Sequence, residues 1–84
     1  MHMSSVTTAE RIDSIVADRL HIEQSAFGDD TLLDGETLDA ESLDIVEIAE
    51  ALDENLNAFV PVNEIEEMDT VGDLKAFVEA ELGA

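Results

Sequence analysis

The chain has 84 residues, room for one small hydrophobic core and too few for a multidomain enzyme. Its 22 Asp and Glu face only 3 Lys and Arg, a formal charge of -19 that opposes binding to nucleic acid or an anionic membrane surface and points to neutral or basic partners. At 45% hydrophobic residues it is too apolar for a disordered acidic tail, and with no Cys it has no disulfide, thiolate metal site or nucleophilic thiol.

The start, Met1-His2-Met3-Ser4-Ser5, has neither the basic nor the apolar region of a signal peptide; it reads as a disordered lead, with Met1-His2-Met3 as a cloning remnant, ahead of one domain over 6–83. No apolar run approaches the ~20 residues that a bilayer span needs, so a cytoplasmic protein is expected. Thr7 and Glu10 stand three apart, as a capping box requires, and Ile12, Ile15, Val16 and Leu20 follow on one face, so a helix is predicted over about 8–20. From His21 to Thr37 the periodicity gives way to a long loop with turn residues, Phe27-Gly28-Asp29-Asp30 and Asp34-Gly35, and isolated apolar anchors at Leu32, Leu33 and Leu38. His21 reads as a helix-end residue favoured by the C-terminal dipole.

Ile45, Ile48, Ala49, Leu52 and Leu56 predict the strongest helix, about 40–57, with Asp39 as its N-cap. Pro61 forces Val60 out of the α region and ends that helix. Asn63, three before Glu66, is placed to cap a short turn carrying Ile65 and Met68. Thr70 with Asp73 opens a last helix whose buried face is Val71, Leu74, Phe77, Val78 and Leu82, with Gly83 as the stop. No strand alternation or internal repeat is present, so the class is all-α: three full helices, a short one before the last, and a long loop between the first two.

Few residues can carry chemistry. A nucleophilic triad needs a His or Lys base beside its Ser, and only His2, His21 and Lys75 are available, which argues for a non-enzymatic protein. Asp30, Asp34, Gly35 and Glu41 fall at positions 1, 5, 6 and 12 of an EF-hand calcium loop, but Leu32 fills position 3 and Leu38 position 9. A calcium module in the Asp30–Glu41 loop therefore stands as an alternative to acidic residues facing water between core leucines. Ser42 lies in the first turn of the second helix, where unsatisfied backbone N–H groups and the positive end of the helix dipole favour a phosphate ester. By residue type alone the preferred reading is an ordinary first-turn serine, since Ser is common there.

The run Leu38-Asp39-Ala40-Glu41-Ser42-Leu43-Asp44-Ile45-Val46-Glu47 resembles the signature of acyl carrier proteins, and the likeness continues through Ala51-Leu52-Asp53-Glu54-Asn55-Leu56, Phe59-Val60-Pro61 and Met68-Asp69-Thr70-Val71-Gly72-Asp73-Leu74. It covers nearly the whole chain, more loosely over the first helix and the loop. The resemblance implies a small four-helix bundle with a short third helix, and a free-standing, non-catalytic, monomeric carrier. Ser42 would hold 4'-phosphopantetheine, installed from coenzyme A by a phosphopantetheinyl transferase, and the arm would carry acyl groups as thioesters. Partners would be acyl-transferring or condensing enzymes with basic docking patches, met by Glu41, Leu43, Asp44, Val46, Glu47, Asp53 and Glu54.

Val46, Leu52, Ile65 and Met68 become candidates to line a cargo site, against plain core. A carrier of aminoacyl, peptidyl or polyketide intermediates, or an unmodified acidic adaptor, would use the same scaffold. The chain departs from the signature at Glu41, where the family has Asp before the serine, and at Asp39, where it has Gly. Glu50 stands where many relatives expose an apolar contact such as Met. The acid excess exceeds what docking asks for and points to a halophilic source, since molar salt shortens the Debye length to ~3 Å.

Overall fold

The computed structural model describes residues 7–83. Four helices follow one another: α1, Thr8–Leu20; α2, Ser42–Leu56; α3, Val62–Glu66; and α4, Val71–Glu81. The long loop contains one 3-10 turn at Gln24–Ala26. Thr7 caps α1, its hydroxyl accepting from the Glu10 N–H at 3.1 Å while Glu10 Oε1 accepts from the Thr7 N–H at 3.0 Å. Thr70 and Asp73 repeat this reciprocal box at α4. His21 ends α1 as an exposed left-handed C-cap with φ 58°, and Gly83 follows α4 in the left-handed region at φ 75°.

Stripes at helical spacing meet in one core: Ile12 and Val16 of α1; Ile48, Leu52 and Leu56 of α2; Ile65 of α3; and Val71, Leu74 and Val78 of α4. α1 packs on α2 and α4, and α3 on α2. No polar or charged residue is buried among those described, so core cohesion is apolar burial. Leu33, Leu38, Ala58 and Val60 complete the core from the connections, and Phe27 packs partly against it. Phe77 is half-buried and Leu82 exposed, so the buried face of α4 is narrower than the sequence pattern predicts.

The loop is tied to the start of α4. Leu33 N–H donates to Asp69 O at 2.9 Å, Val71 N–H to Thr31 O at 3.0 Å and Gly72 N–H to Asp29 O at 2.8 Å. Gly72 permits this approach, since a Cβ there would lie 3.1 Å from Asp29 O. Leu32 forms an isolated antiparallel bridge with Thr70. In that extended stretch successive side chains point to opposite sides, so Leu33 enters the core and Leu32 is 50% exposed, which corrects the expectation that both are anchors.

Lys75, the only lysine, clamps the same junction. Its ammonium lies 2.9 Å from Asp13 of α1 and also meets Asp29 of the loop. Burial lowers the Lys75 pKa, but the hydrogen bonds and charges of Asp29 and Asp13 outweigh it and hold the net value above the ordinary 10.5.

Two caps differ from expectation. Asp39 is not the N-cap of α2: it sits in the left-handed region at φ 46°, Ala40 turns back to donate to Leu33 O at 3.0 Å, and Glu41, extended at φ -100°, ψ 173°, is the cap. At α3 the cap is Pro61, and Asn63 lies inside the helix, because the fixed φ of Pro61 already leads the chain into a helical turn.

Candidate functional site

Ser42 is the first residue of α2 and is exposed. Three local features hold it there. Leu38 and Leu33, both buried, fasten the approach segment to the core. Asp39 N–H donates to Gly35 O at 2.7 Å, closing the turn that carries the chain back toward α2. Asp44, in the first helical turn, accepts from the Glu41 N–H at 3.0 Å and so fixes the residue before the serine.

The two helix starts that face the long loop are satisfied differently. At α4, the N–H groups of Val71 and Gly72 are taken by loop carbonyls. At α2, no described residue accepts from the N–H groups of Ser42 and Leu43, and the helix carries only Asp44 as a charged group in its first turn. A phosphate ester on the Ser42 Oγ would stand in solvent beside these free donors and the positive end of a 15-residue helix. The residues present therefore fit a phosphodiester at Ser42: an exposed hydroxyl, unsatisfied N–H groups and no side chain covering it.

Around Ser42, Leu43 is 69% exposed, Glu41, Asp53 and Glu54 are exposed, and Asp44, Val46 and Glu47 are partly exposed. No cation lies in the last turn of α2, where Asp53 and Glu54 oppose the dipole. Compensation comes from α1, since the Arg11 guanidinium donates to Asn55 O at 3.0 Å. Among the candidate cargo-lining residues, Leu52 and Ile65 lie in the core, Met68 packs against it, and Val46 faces a groove of about 440 Å³ between α2 and residues 59–62. Among the described residues, no three His, Asp or Glu side chains are grouped to hold a metal ion. Asp30, Asp34 and Glu41 thus remain separate exposed carboxylates around the buried Leu33 and Leu38.

The sequence reading placed Ser42 and the acidic face but did not mark Phe59 as a surface residue. It is 66% exposed at that groove. A signal was available: Phe59 and Val60 precede Pro61 in an extended stretch, so only one of them can face the core.

Asp39 carries a cost that glycine would not. An L residue in the left-handed region is disfavoured by ~1–2 kcal/mol, less for Asp, and the greater freedom of unfolded Gly offsets part of the relief. Asp39→Gly is expected to stabilise the protein by about 0.5 kcal/mol and raise the melting midpoint by ~2–4 °C. Asp39→Asn, which keeps the shape and removes the charge, should show how much of any gain is electrostatic. A lower denaturation midpoint for Asp39→Gly would mean that the turn is not strained.

The bundle places an exposed serine at a helix N-terminus, a geometry that fits an ester-linked group. A family model for the phosphopantetheine attachment site matches residues 10–78. The chain is 36% identical over 77 residues to an acyl carrier protein of Akkermansia muciniphila, covering 92% of this chain and 95% of that protein. It is 35% identical over 81 residues to one of Prochlorococcus marinus, covering 96% of this chain and all of the relative, and 36% identical over 77 residues to one of Clostridium acetobutylicum. The chain belongs to the phosphopantetheine-attachment family of carrier proteins. Its prosthetic group is 4'-phosphopantetheine, and it is a carrier, not an enzyme. No helix among the described residues is long and apolar enough to cross a membrane.

Proposed function

We propose that the protein carries acyl intermediates on a 4'-phosphopantetheine arm esterified to the Ser42 hydroxyl and delivers them to partner enzymes in the cytoplasm. When bound, the arm supplies a thiol that holds the acyl group as a thioester. The observation that carries this reading is the position of Ser42: exposed, first in α2, with free N–H donors beside it, in a chain that the family model covers over residues 10–78. The relatives are named acyl carrier proteins, which favours acyl over aminoacyl, peptidyl or polyketide cargo.

The chain's own residues do two things in this scheme. Asp44 holds the Glu41 backbone, and the start of α2 offers its N–H groups to the phosphate. Leu43 and Val46 give apolar contact, while Glu41, Asp44, Glu47, Asp53 and Glu54 attract basic patches on a phosphopantetheinyl transferase and on acyl-transferring or condensing enzymes. Intact mass spectrometry after incubation with coenzyme A and a broad-specificity transferase should show one phosphopantetheine increment, absent from Ser42→Ala. A folded protein that gains no increment, under conditions that modify an ordinary carrier, would overturn the assignment.

A further inference from the structure

The approach to Ser42 is anchored from α4. Among the described residues, the backbone hydrogen bonds of residues 34–41 all stay within 32–45. Over 28–41, backbone bonds to another part of the bundle leave only at Asp29, Thr31 and Leu33, alternate positions that meet Gly72, Val71 and Asp69. Asp29 is tied twice, since its carboxylate also meets the Lys75 ammonium.

Leu33 joins this edge to the serine. Its N–H donates to Asp69 O at 2.9 Å, and its carbonyl accepts at 3.0 Å from the N–H of Ala40, which stands just before Glu41 and Ser42. Asp69 is itself fixed, because the Asp73 carboxylate accepts from the Asp69 and Thr70 N–H groups, each at 3.1 Å. A clamp that served stability alone could close anywhere along the loop. This one closes on the residue whose carbonyl holds Ala40.

We infer that the start of α4 is a positioning element for Ser42: Lys75 and Gly72 hold Asp29, the loop edge holds Leu33, and Leu33 holds the approach to the serine hydroxyl. The inference rests on the carrier reading and deepens it by naming residues remote from Ser42 that set its reactivity. In the attachment step the Ser42 oxygen bonds the phosphorus that bears the pantetheine of coenzyme A. The bond from that phosphorus to the departing adenosine bisphosphate breaks, and the hydroxyl proton passes to a base of the transferase. Misplacing a reacting atom by ~1 Å can cost about 10²-fold in rate. Loosening the latch therefore lowers the rate at saturation and leaves the acidic contact face in place.

Two readouts test this in Lys75→Met, in Gly72→Ala and in Val78→Ala, a core truncation elsewhere on α4 that controls for lost stability. Each is taken where circular dichroism shows the variant folded. The first needs no transferase: hydrogen exchange at the Asp39 and Ala40 amides, which donate to Gly35 and Leu33. Relative to the Val16 and Ile48 amides, it should rise about tenfold in Lys75→Met, together with that at Val71 and Gly72. In Val78→Ala the ratio should stay at the parent value.

The second is the kinetics of modification by a broad-specificity transferase with coenzyme A. Lys75→Met should lower kcat about fivefold or more, with KM within about twofold. A protein that is merely less stable presents fewer folded molecules, which changes the apparent KM and not kcat, so Val78→Ala should keep the parent kcat. Gly72→Ala puts a Cβ 3.1 Å from Asp29 O, which must give by a few tenths of an ångström, while alanine favours the helix. It should show both changes at about twofold to threefold with the melting midpoint kept.

A Lys75→Met protein with the parent kcat would overturn the inference, as would one whose Val71 and Gly72 amides open while Asp39 and Ala40 keep their protection. If Lys75→Met does not fold, Gly72→Ala decides by the same two readouts. A parent that gains no phosphopantetheine overturns the carrier reading and this inference with it. A parent that is modified, at a kcat that the folded latch variants match, overturns this inference alone.

Discussion

Lys75→Met is expected to lower stability by about 2 kcal/mol and the melting midpoint by ~8–16 °C. The Lys75 side chain is only 12% exposed and that of Asp13 25%, so removing the ammonium leaves a carboxylate with little access to water. Breaking a fully buried pair costs ~3–5 kcal/mol; the partial exposure of Asp13, and the greater exposure of Asp29, bring the estimate down. The loss should be largest where the clamp acts, at the junction of α1, the loop and α4, and hydrogen exchange at the Val71 and Gly72 amides should rise with it. Adding Asp13→Asn should recover part of the loss by removing the stranded charge.

The pH dependence has a definite sign. Because the folded Lys75 pKa lies above the ordinary 10.5, the contribution of the clamp is complete below that value and disappears as pH rises through the folded pKa. The stability gap between parent and Lys75→Met should thus be flat across neutral pH and close in strong alkali. At the acid end, the Thr70 and Asp69 backbone N–H groups that Asp73 accepts hold its carboxyl below 3.8, so this cap contributes above that value and is lost as pH falls through the folded pKa. A Lys75→Met midpoint within 2 °C of the parent, as an order-of-magnitude threshold at neutral pH, would show that the loop is held by its backbone bonds alone.

Salt should act almost as strongly. Between about 10 mM and 2 M potassium chloride the melting midpoint is expected to rise by ~10 °C, about 1–2 kcal/mol. The molecule measures 39 × 26 × 19 Å, so at a Debye length of ~30 Å nearly every carboxylate repels every other, whereas at ~3 Å only neighbours do. The repulsion is concentrated on α2, where Glu50 meets Glu47 and Asp53 at i±3 and Glu54 at i+4 with no cation between them. A triple variant, Glu50→Gln, Asp53→Asn and Glu54→Gln, should gain stability at low salt and little at high salt. A midpoint that does not rise with salt would remove our proposal of a halophilic source; a rise equal in parent and triple variant would assign it to stronger apolar burial instead.

The features that were legible in the sequence are local. The bounds of α1 at Thr8 and Leu20, the Thr7–Glu10 and Thr70–Asp73 boxes and the break at Pro61 all depend on residues within a turn of one another. Helix spacing and capping chemistry act over three or four positions, so a linear reading reaches them. The apolar stripes of α1 and α2 were legible for the same reason, and their buried faces center on Ile12, Val16, Ile48 and Leu52.

What only the tertiary structure decided depends on contacts between residues far apart in the chain. Lys75 finds Asp13 62 positions away and Asp29 46 positions away, and no local pattern marks that meeting. Leu32 and Leu33 are the same residue type, and pairing with the segment before α4 sends one outward and one inward. Asp39 has the composition of an N-cap but is forced into a left-handed turn because Ala40 must reach Leu33, which leaves the cap to Glu41. Phe59 is exposed because Val60 takes the core position beside it. In each case a side chain with two locally acceptable placements was assigned one by long-range packing.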